Sequence, residues 1–175
     1  ETAVSRNLLI PFDTYSSEID NPDWYDYAQD LSVVGGGSYG LPFAGDAMVL
    51  VYRPTSVGEP PATWNDLIKR GEVISFPAAD PQALLPMALY LSGGGELEST
   101  PRLPQMDIEK LTQLYQLFVD GAQSGVFPLS LTQMQKDAEA WTAYNELRSN
   151  WVITWLSRHL SEPSDDSNIA SIPLI

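Results

Sequence analysis

Residues 39–67 read YGLPFAGDAMVLVYRPTSVGEPPATWNDL and contain, in order, the signals of a turn, a strand, a loop and a helix. The run of apolar, β-prone residues from Met48 to Tyr52 predicts a buried strand. A proline-rich loop follows it. Thr63 then predicts a helix start, because its hydroxyl can accept a backbone N–H of the first turn, and the carboxylate of Asp66 favours the positive end of the helix.

Asp46 is the residue of this stretch that backbone preferences leave unexplained. It is an ionisable residue between the small residues Gly45 and Ala47, at the start of the predicted strand. A carboxylate in that position is either a solvated strand end or a polar group that points into a cleft. The sequence leaves both interpretations open.

Length and charge limit the classes of function. The chain has 175 residues and a mass of 19.3 kDa, which predicts a single domain. Its formal net charge is −14, from 23 acidic and 9 basic residues. A chain with this excess of negative charge repels polyphosphates and anionic lipid surfaces, so the composition argues against binding to nucleic acids.

Strand and helix patterns alternate along the rest of the chain. The segment 31–41 predicts a hairpin, with glycines in its turn, and the segments 73–76, 151–155 and 169–175 predict strands. Three further helices are predicted: one capped by Asp80 with Pro81 in its first position, one capped by Asp107, and one over residues 132–148. This alternation predicts the α/β class, with a small sheet covered by helices.

No residue pattern indicates catalysis. His159 is the only histidine and has no serine nucleophile motif beside it, and the absence of cysteine excludes thiolate chemistry and disulfides. Asp165 and Asp166 lack the alternating oxygen ligands of a calcium loop. Nothing fixes a carboxylate pair, such as Asp46 with Asp80, at the separation that glycoside hydrolysis requires. We therefore predict a protein that is not an enzyme and has no cofactor or metal site.

A binding site for a polar solute needs fewer special residues than catalysis does. Sugars are held by aromatic faces and by planar polar groups in a preformed cleft. The candidate ligand-binding residues of this type are Asp46, Asp80, Gln82, Trp155 and Arg158. Three of them also have a structural interpretation: Asp46 as a solvated strand end, Asp80 as a helix cap, and Trp155 as part of the core. Trp64 and Trp141 are predicted to be core residues, because each lies within a helical pattern.

Several short motifs together resemble the extracellular solute-binding proteins of ABC importers, in the branch that binds sugars and oligosaccharides. The motifs are YGLPFA at 39–44, PPATWNDL at 60–67, FPAADP at 76–81 with the glycines at 93–95, and the segments 151–155 and 169–173. Within this resemblance, Asp46 corresponds to an acidic cleft residue. Gln82 occupies a position where an aromatic ligand contact is often found.

The resemblance implies one lobe of a two-lobed, periplasmic-binding-protein-like (type II) fold. Residues 1–40 would be an approach segment and a hairpin next to the hinge, and residues 41–175 would be the α/β lobe, with the other lobe and the export signal outside this sequence. The hinge would include Leu41, Pro42, Phe43 and Ala44.

The same resemblance implies the function and the partners. We expect an extracytoplasmic monomer that binds a small solute, a sugar or oligosaccharide, and delivers it to a membrane ABC permease. The alternative is an interaction or structural module that has kept this fold without the transport role. A third, more distant interpretation is a carbohydrate-active enzyme.

Overall fold

The computed structural model describes residues 2–11, 23–99, 104–161 and 169–174. The chain divides into two compact units, Glu1–Asp46 and Ala47–Ile175. The sequence placed a boundary at residues 40 and 41, and that assignment of segments stays a prediction. Asp165 and Asp166 lie outside the described residues.

The first unit contains two helices and a hairpin among its described residues. They are α1 (Thr2–Ser5), α2 (Asp26–Ser32), β1 (Val33–Val34) and β2 (Gly37–Ser38). Gly35 and Gly36 form the two-residue turn between the strands with φ values of 59° and 84°. Positive φ at both turn residues matches the right-handed twist of the strands and explains why glycines are found there. The predicted hairpin is confirmed, although its first residues belong to α2.

The second unit is built on a four-stranded sheet with the strand order β4-β7-β3-β8. Its strands are β3 (Met48–Tyr52), β4 (Ile74–Ser75), β7 (Trp151–Trp155) and β8 (Ala170–Pro173). β7 and β8 are both antiparallel to β3, whereas β4 is parallel to β7. The four strands predicted from the sequence are thereby confirmed. A separate antiparallel pair, β5 (Leu97–Ser99) and β6 (Pro104–Met106), was not predicted.

Helices cover the sheet on both faces. They are α3 (Pro54–Val57), α4 (Trp64–Arg70), α5 (Leu84–Ser92), α6 (Ile108–Ser124), α7 (Asp137–Asn145) and α8 (Leu156–Ser161), with a 3₁₀ turn at Leu129–Gln133. Consecutive residues of a strand point to opposite faces of a sheet, and residues 49–52 and 151–154 are all buried. Both faces of the central strands are therefore covered, and the predicted α/β class with a helix-covered sheet is confirmed.

Two of the predicted helix starts are confirmed by their caps. Thr63 Oγ1 accepts the backbone N–H of Asp66 at 3.2 Å, and it donates to the Asp66 carboxylate at 2.7 Å. This hydrogen bond from Thr63 lowers the pKa of Asp66. Asp107 caps α6 by accepting the N–H groups of Glu109 and Lys110.

Two other predicted helix boundaries were wrong. The helix expected to begin at Pro81 begins at Leu84, because Ala83 has a left-handed backbone with φ of 51°. Pro86 then lies in the first turn, where its missing N–H has no helical partner to lose. The helix expected over residues 132–148 is divided into the 3₁₀ turn and α7, and Leu147, with φ of 60°, lies beyond its end.

An aromatic cluster packs α6 against the segment that follows it. The Phe76 and Phe127 rings meet edge to face at a centroid distance of 5.1 Å. The centroid of the Phe118 ring lies 6.2 Å from that of Phe76 and 6.0 Å from that of Phe127. Gly121 of α6 faces this cluster, and a Cβ atom at this position would collide with the Phe127 ring.

Among the described residues, no helix combines the length and the apolar character that crossing a membrane requires.

We predict that Gly121→Ala destabilises the protein by up to about 2 kcal/mol, measured as a lower urea midpoint. Alanine improves intrinsic helix propensity by about 1 kcal/mol over glycine, but overpacking a core typically costs about 1–3 kcal/mol. The collision with Phe127 therefore outweighs the propensity gain. Introducing Gly121→Ala into a Phe127→Leu background should reduce its cost. An increase in stability from Gly121→Ala alone would contradict the packing described here.

Candidate functional site

A cleft of about 350 Å³ lies at the edge of the sheet where β3 begins and β7 ends. The strand register pairs Met48 with Trp155, so these two residues lie opposite each other at this edge. The segment leading to α5, the start of α7 and the end of β7 supply the polar and aromatic lining. These residues are Asp80, Gln82, Gln135, Lys136, Asp137, Thr154 and Trp155.

The Asp80 carboxylate organises the segment before α5. Its two oxygens accept the backbone N–H groups of Gln82 at 3.0 Å and Leu84 at 3.1 Å. The prediction that Asp80 is the helix cap was wrong, because the cap position is Ala83 and the Asp80 carboxylate instead holds the turn that leads into the helix. Since a carboxylate oxygen has two acceptor sites, Asp80 keeps the capacity to accept a hydroxyl group from the cleft. Gln82 is exposed and lines the same cleft.

Trp155 is half-buried at the end of β7 and contributes the aromatic surface of the cleft. The next residue, Leu156, begins α8 and donates its backbone N–H to the Ala47 carbonyl at 2.8 Å. This hydrogen bond continues the pairing of β3 with β7 by one residue. The backbone on both sides of the Trp155 side chain is therefore held in place.

Asp137, the first residue of α7, lines the cleft and connects α7 with β7 and α8. Its carboxylate accepts the Thr154 hydroxyl of β7 at 2.8 Å and pairs with the Arg158 guanidinium of α8. The side chains of Asp137 and Arg158 are only 18% and 26% exposed, so solvent screens this ion pair less than a surface pair. The sequence analysis missed Asp137 because the predicted helix over 132–148 placed it in a helix interior.

Glu139 explains why α7 begins at Asp137. Its carboxylate accepts the backbone N–H groups of Gln135 at 2.6 Å and Lys136 at 3.1 Å, and so satisfies donors that precede the helix. The hydrogen bonds from Lys136 and Gln135 lower the pKa of Glu139. The spacing of the two acidic residues, Asp137 and Glu139, in a first helical turn was the available sequence signal for this helix start.

The structure brings together three of the five predicted ligand-binding residues. Asp80, Gln82 and Trp155 line one cleft, and Arg158 is joined to that cleft through Asp137. Asp46 is the last residue of the first unit and is exposed, and its role as a ligand contact stays a prediction.

The predicted hinge residues and the two tryptophans assigned to the core also have defined positions. Leu41, Pro42, Phe43 and Ala44 line a cavity of about 590 Å³ within the first unit, together with Trp24, Tyr25 and Tyr27. Their hinge role stays a prediction. Trp141 is buried in the core as predicted, whereas Trp64 is only partly buried against it.

The chemistry of the cleft suits a small polar ligand. An indole surface offers stacking to apolar C–H groups, and the nearby carboxylate and amide groups offer hydrogen bonds in defined directions. Within the described part of the chain, no group of three or more His, Cys, Asp or Glu side chains is placed to hold a metal ion. An α/β lobe with such a cleft is suited to hold a small polar solute.

Sequence comparison assigns the family. Residues 2–128 match the family described as bacterial extracellular solute-binding protein, and the chain belongs to this family. The family is one of binding proteins, in agreement with the resemblance seen in the sequence motifs. A comparison with curated proteins found no match.

Solved structures with the same fold include three sugar-related binding proteins. The maltose-bound MalE3 of T. maritima has a TM-score of 0.72 at 17% identity, over 95% of this chain and 48% of that one. The maltodextrin-binding protein MalE1 of L. casei BL23, without ligand, has a TM-score of 0.77 at 16% identity, over 99% and 45%. The GacH receptor of Streptomyces glaucescens GLA.O, solved unliganded and with acarbose, has a TM-score of 0.71 at 18% identity, over 98% and 48%.

These comparisons confirm the predicted fold. The chain spans about half the length of each of these three structures, which agrees with one lobe of a periplasmic-binding-protein-like fold. At identities of 16–18% the likeness establishes the fold and not the ligand.

We predict that Glu139→Gln lowers the urea midpoint at pH 7 and that the difference from wild type shrinks on acidification. Because folding lowers the pKa of Glu139 below its ordinary value of 4.5, its carboxylate stabilises the fold above that value. This contribution is lost as the pH falls through the lowered pKa. Urea titrations at pH 7 and at stepwise lower pH below 4.5 measure the trend. A difference that stays constant over this range would contradict the assigned role of the charge.

Proposed function

We propose that the chain binds a sugar or oligosaccharide in the cleft beside Trp155 and delivers it to a membrane ABC permease. The observation that carries the proposal is the convergence of an aromatic side chain with Asp80 and Gln82 at one edge of the sheet. Family membership adds support, and so do the sugar ligands named for the structures of the same fold.

In this proposal the described cleft is one side of a larger binding site. The chain spans about half of the compared structures, and family members of this fold close two lobes on a ligand by hinge bending. The hinge would include Leu41, Pro42, Phe43 and Ala44, and Asp46 would face the ligand from the strand start. The boundary between the two compact units lies directly after Asp46.

The proposal extends to location and partners. We infer an extracytoplasmic, monomeric protein whose partners are the solute and the permease, and the description of the family as extracellular supports this location. The net charge of −14 supports the absence of a nucleic-acid partner.

We further propose that the cleft binds its ligand without chemical conversion. The carboxylate oxygens of Asp80 and Asp137 accept hydrogen bonds from backbone N–H groups, a hydroxyl and a guanidinium. Both carboxylates therefore hold neighbouring protein groups in place, whereas glycoside hydrolysis uses two carboxyl groups that flank the scissile bond.

We expect Trp155→Ala to weaken the binding of maltotriose about tenfold, measured by isothermal titration calorimetry or, for weak binding, by saturation-transfer NMR. An aromatic contact contributes about 0.5–1.5 kcal/mol beyond the area that it buries, and 1.4 kcal/mol corresponds to a factor of ten. Gln82→Ala should also weaken binding, because it removes a planar hydrogen-bonding group. Tyr115→Ala is the matched control, since Tyr115 is an exposed aromatic residue on α6 that does not line this cleft.

Three outcomes would contradict the proposed function. If the folded protein binds no sugar in a panel of mono- and oligosaccharides, the interaction-module interpretation takes its place. If chromatography after incubation shows cleaved sugar, the protein is a carbohydrate-active enzyme. Equal loss of binding in the Trp155→Ala and Tyr115→Ala variants would show that the cleft is not the binding site.

A further inference from the structure

Charged groups of both signs lie in and beneath the cleft. Asp80, Asp137 and Lys136 line it, and Arg158 is paired with Asp137. The Glu139 carboxylate is bonded to the backbone of Gln135 and Lys136, which also line the cleft. Three carboxylates and two cationic groups therefore lie in or next to the cleft, so a ligand that enters it meets a net negative charge from this set.

Asp137 is the carboxylate of this set that both lines the cleft and pairs with Arg158. Arg158 lies three residues after Trp155, in the first turn of α8, and its guanidinium is only 26% exposed. A guanidinium group is the side chain best suited to bind carboxylates and phosphates, because its N–H donors match their geometry. The Asp137 carboxylate already accepts from its Nε, so an anionic ligand near Trp155 would meet negative charge from Asp137 beside the positive charge of Arg158.

We propose that Asp137 is a specificity-determining residue, which makes the cleft select uncharged polyhydroxyl solutes over anionic sugars such as uronic acids. The inference rests on the proposed sugar-binding function and names the chemical class of its ligand. A neutral sugar can exchange hydroxyl hydrogen bonds with the paired groups at no cost in charge. A uronate carries a carboxylate that the Asp137 charge repels.

Thr154 allows the charge of Asp137 to be separated from its structural role. Asp137 also accepts the hydroxyl of this buried residue, and that contact positions β7, and therefore Trp155, against α7. Thr154→Val removes the hydrogen bond without changing any charge. If Asp137 acted only by positioning Trp155, Thr154→Val and Asp137→Asn would affect the two classes of sugar alike.

The test compares two ligands in calorimetric or NMR titrations of the 175-residue chain: maltotriose, and maltotriose with one C6 hydroxymethyl group oxidised to a carboxylate. The wild type should bind the neutral sugar at least about tenfold more tightly. Asp137→Asn should reduce this preference at least about fivefold, since a unit charge that lines a partly buried cleft is screened less than one on the surface. High salt should reduce the effect of the substitution, because ions screen the repulsion between the Asp137 charge of the wild type and the charged sugar.

Three further variants serve as controls. Thr154→Val should leave the ratio of the two affinities within about twofold of wild type, even if both affinities fall. Asp120→Asn makes the same change in charge on α6, where Asp120 accepts a hydrogen bond from Gln116, and should change neither affinity. Arg158→Gln makes the opposite change in charge and should increase the preference for the neutral sugar. It also keeps the test decisive if Asp137→Asn does not fold.

The outcomes separate this inference from the function on which it rests. Equal wild-type affinity for both sugars would preserve sugar binding and overturn the role of Asp137. Equal weakening of both sugars by Asp137→Asn, with an unchanged ratio, would reduce Asp137 to a positioning residue and also overturn the inference. If neither sugar binds to a folded wild type, the proposed function fails and the inference fails with it.

Discussion

The antiparallel pairing of β3 with β7 is the constraint on which the fold of the second unit and its cleft depend. Both strands are buried on both faces, so a shift of one residue in register would turn every core side chain to the opposite face. The register that satisfies the core also places Met48 opposite Trp155, and it is continued by the hydrogen bond from Leu156 to Ala47. The position of the aromatic wall of the cleft is therefore a consequence of core packing. It does not rely on a flexible loop.

The polar part of the cleft lies next to the starts of two helices, and the backbone at both starts is held by a carboxylate. Carboxylates satisfy backbone N–H groups that have no partner within a helix: Asp80 does so before α5, and Glu139 does so before α7. Each of these carboxylates fixes the backbone next to a cleft residue, which is Gln82 in one case and Asp137 in the other. Asp137 then links α7 to Thr154 and Arg158. Local stabilisation of helix ends and assembly of a binding surface are thus achieved by the same few residues.

The sequence was sufficient for those features that depend on neighbours along the chain. The strands around Met48 and Trp151, the caps at Thr63 and Asp107, and the hairpin glycines could all be predicted from local patterns. The start of α7 was missed, because the helical spacing of apolar residues continues from the 3₁₀ turn into the helix and hides the boundary, although Asp137 and Glu139 were a sequence signal for it. Asp137 was missed for a second reason: its partners lie 17 and 21 residues away, and only the folded sheet brings them to it. The sequence named Asp80, Gln82 and Trp155 as candidates from their residue types and positions, but it contained no information on how they are held.

The most direct test of this account is an ¹H–¹⁵N correlation spectrum of the tryptophan indole groups, recorded as maltotriose is added. The chain has five tryptophans, and a Trp155→Phe variant assigns the decisive signal. The account predicts that the Trp155 signal moves with sugar concentration while the signals of Trp141 and Trp151, which are buried in the core, stay in place. A Trp155 signal that does not move, while that of Trp24 or Trp64 does, would show that the sugar binds elsewhere and would contradict the central claim.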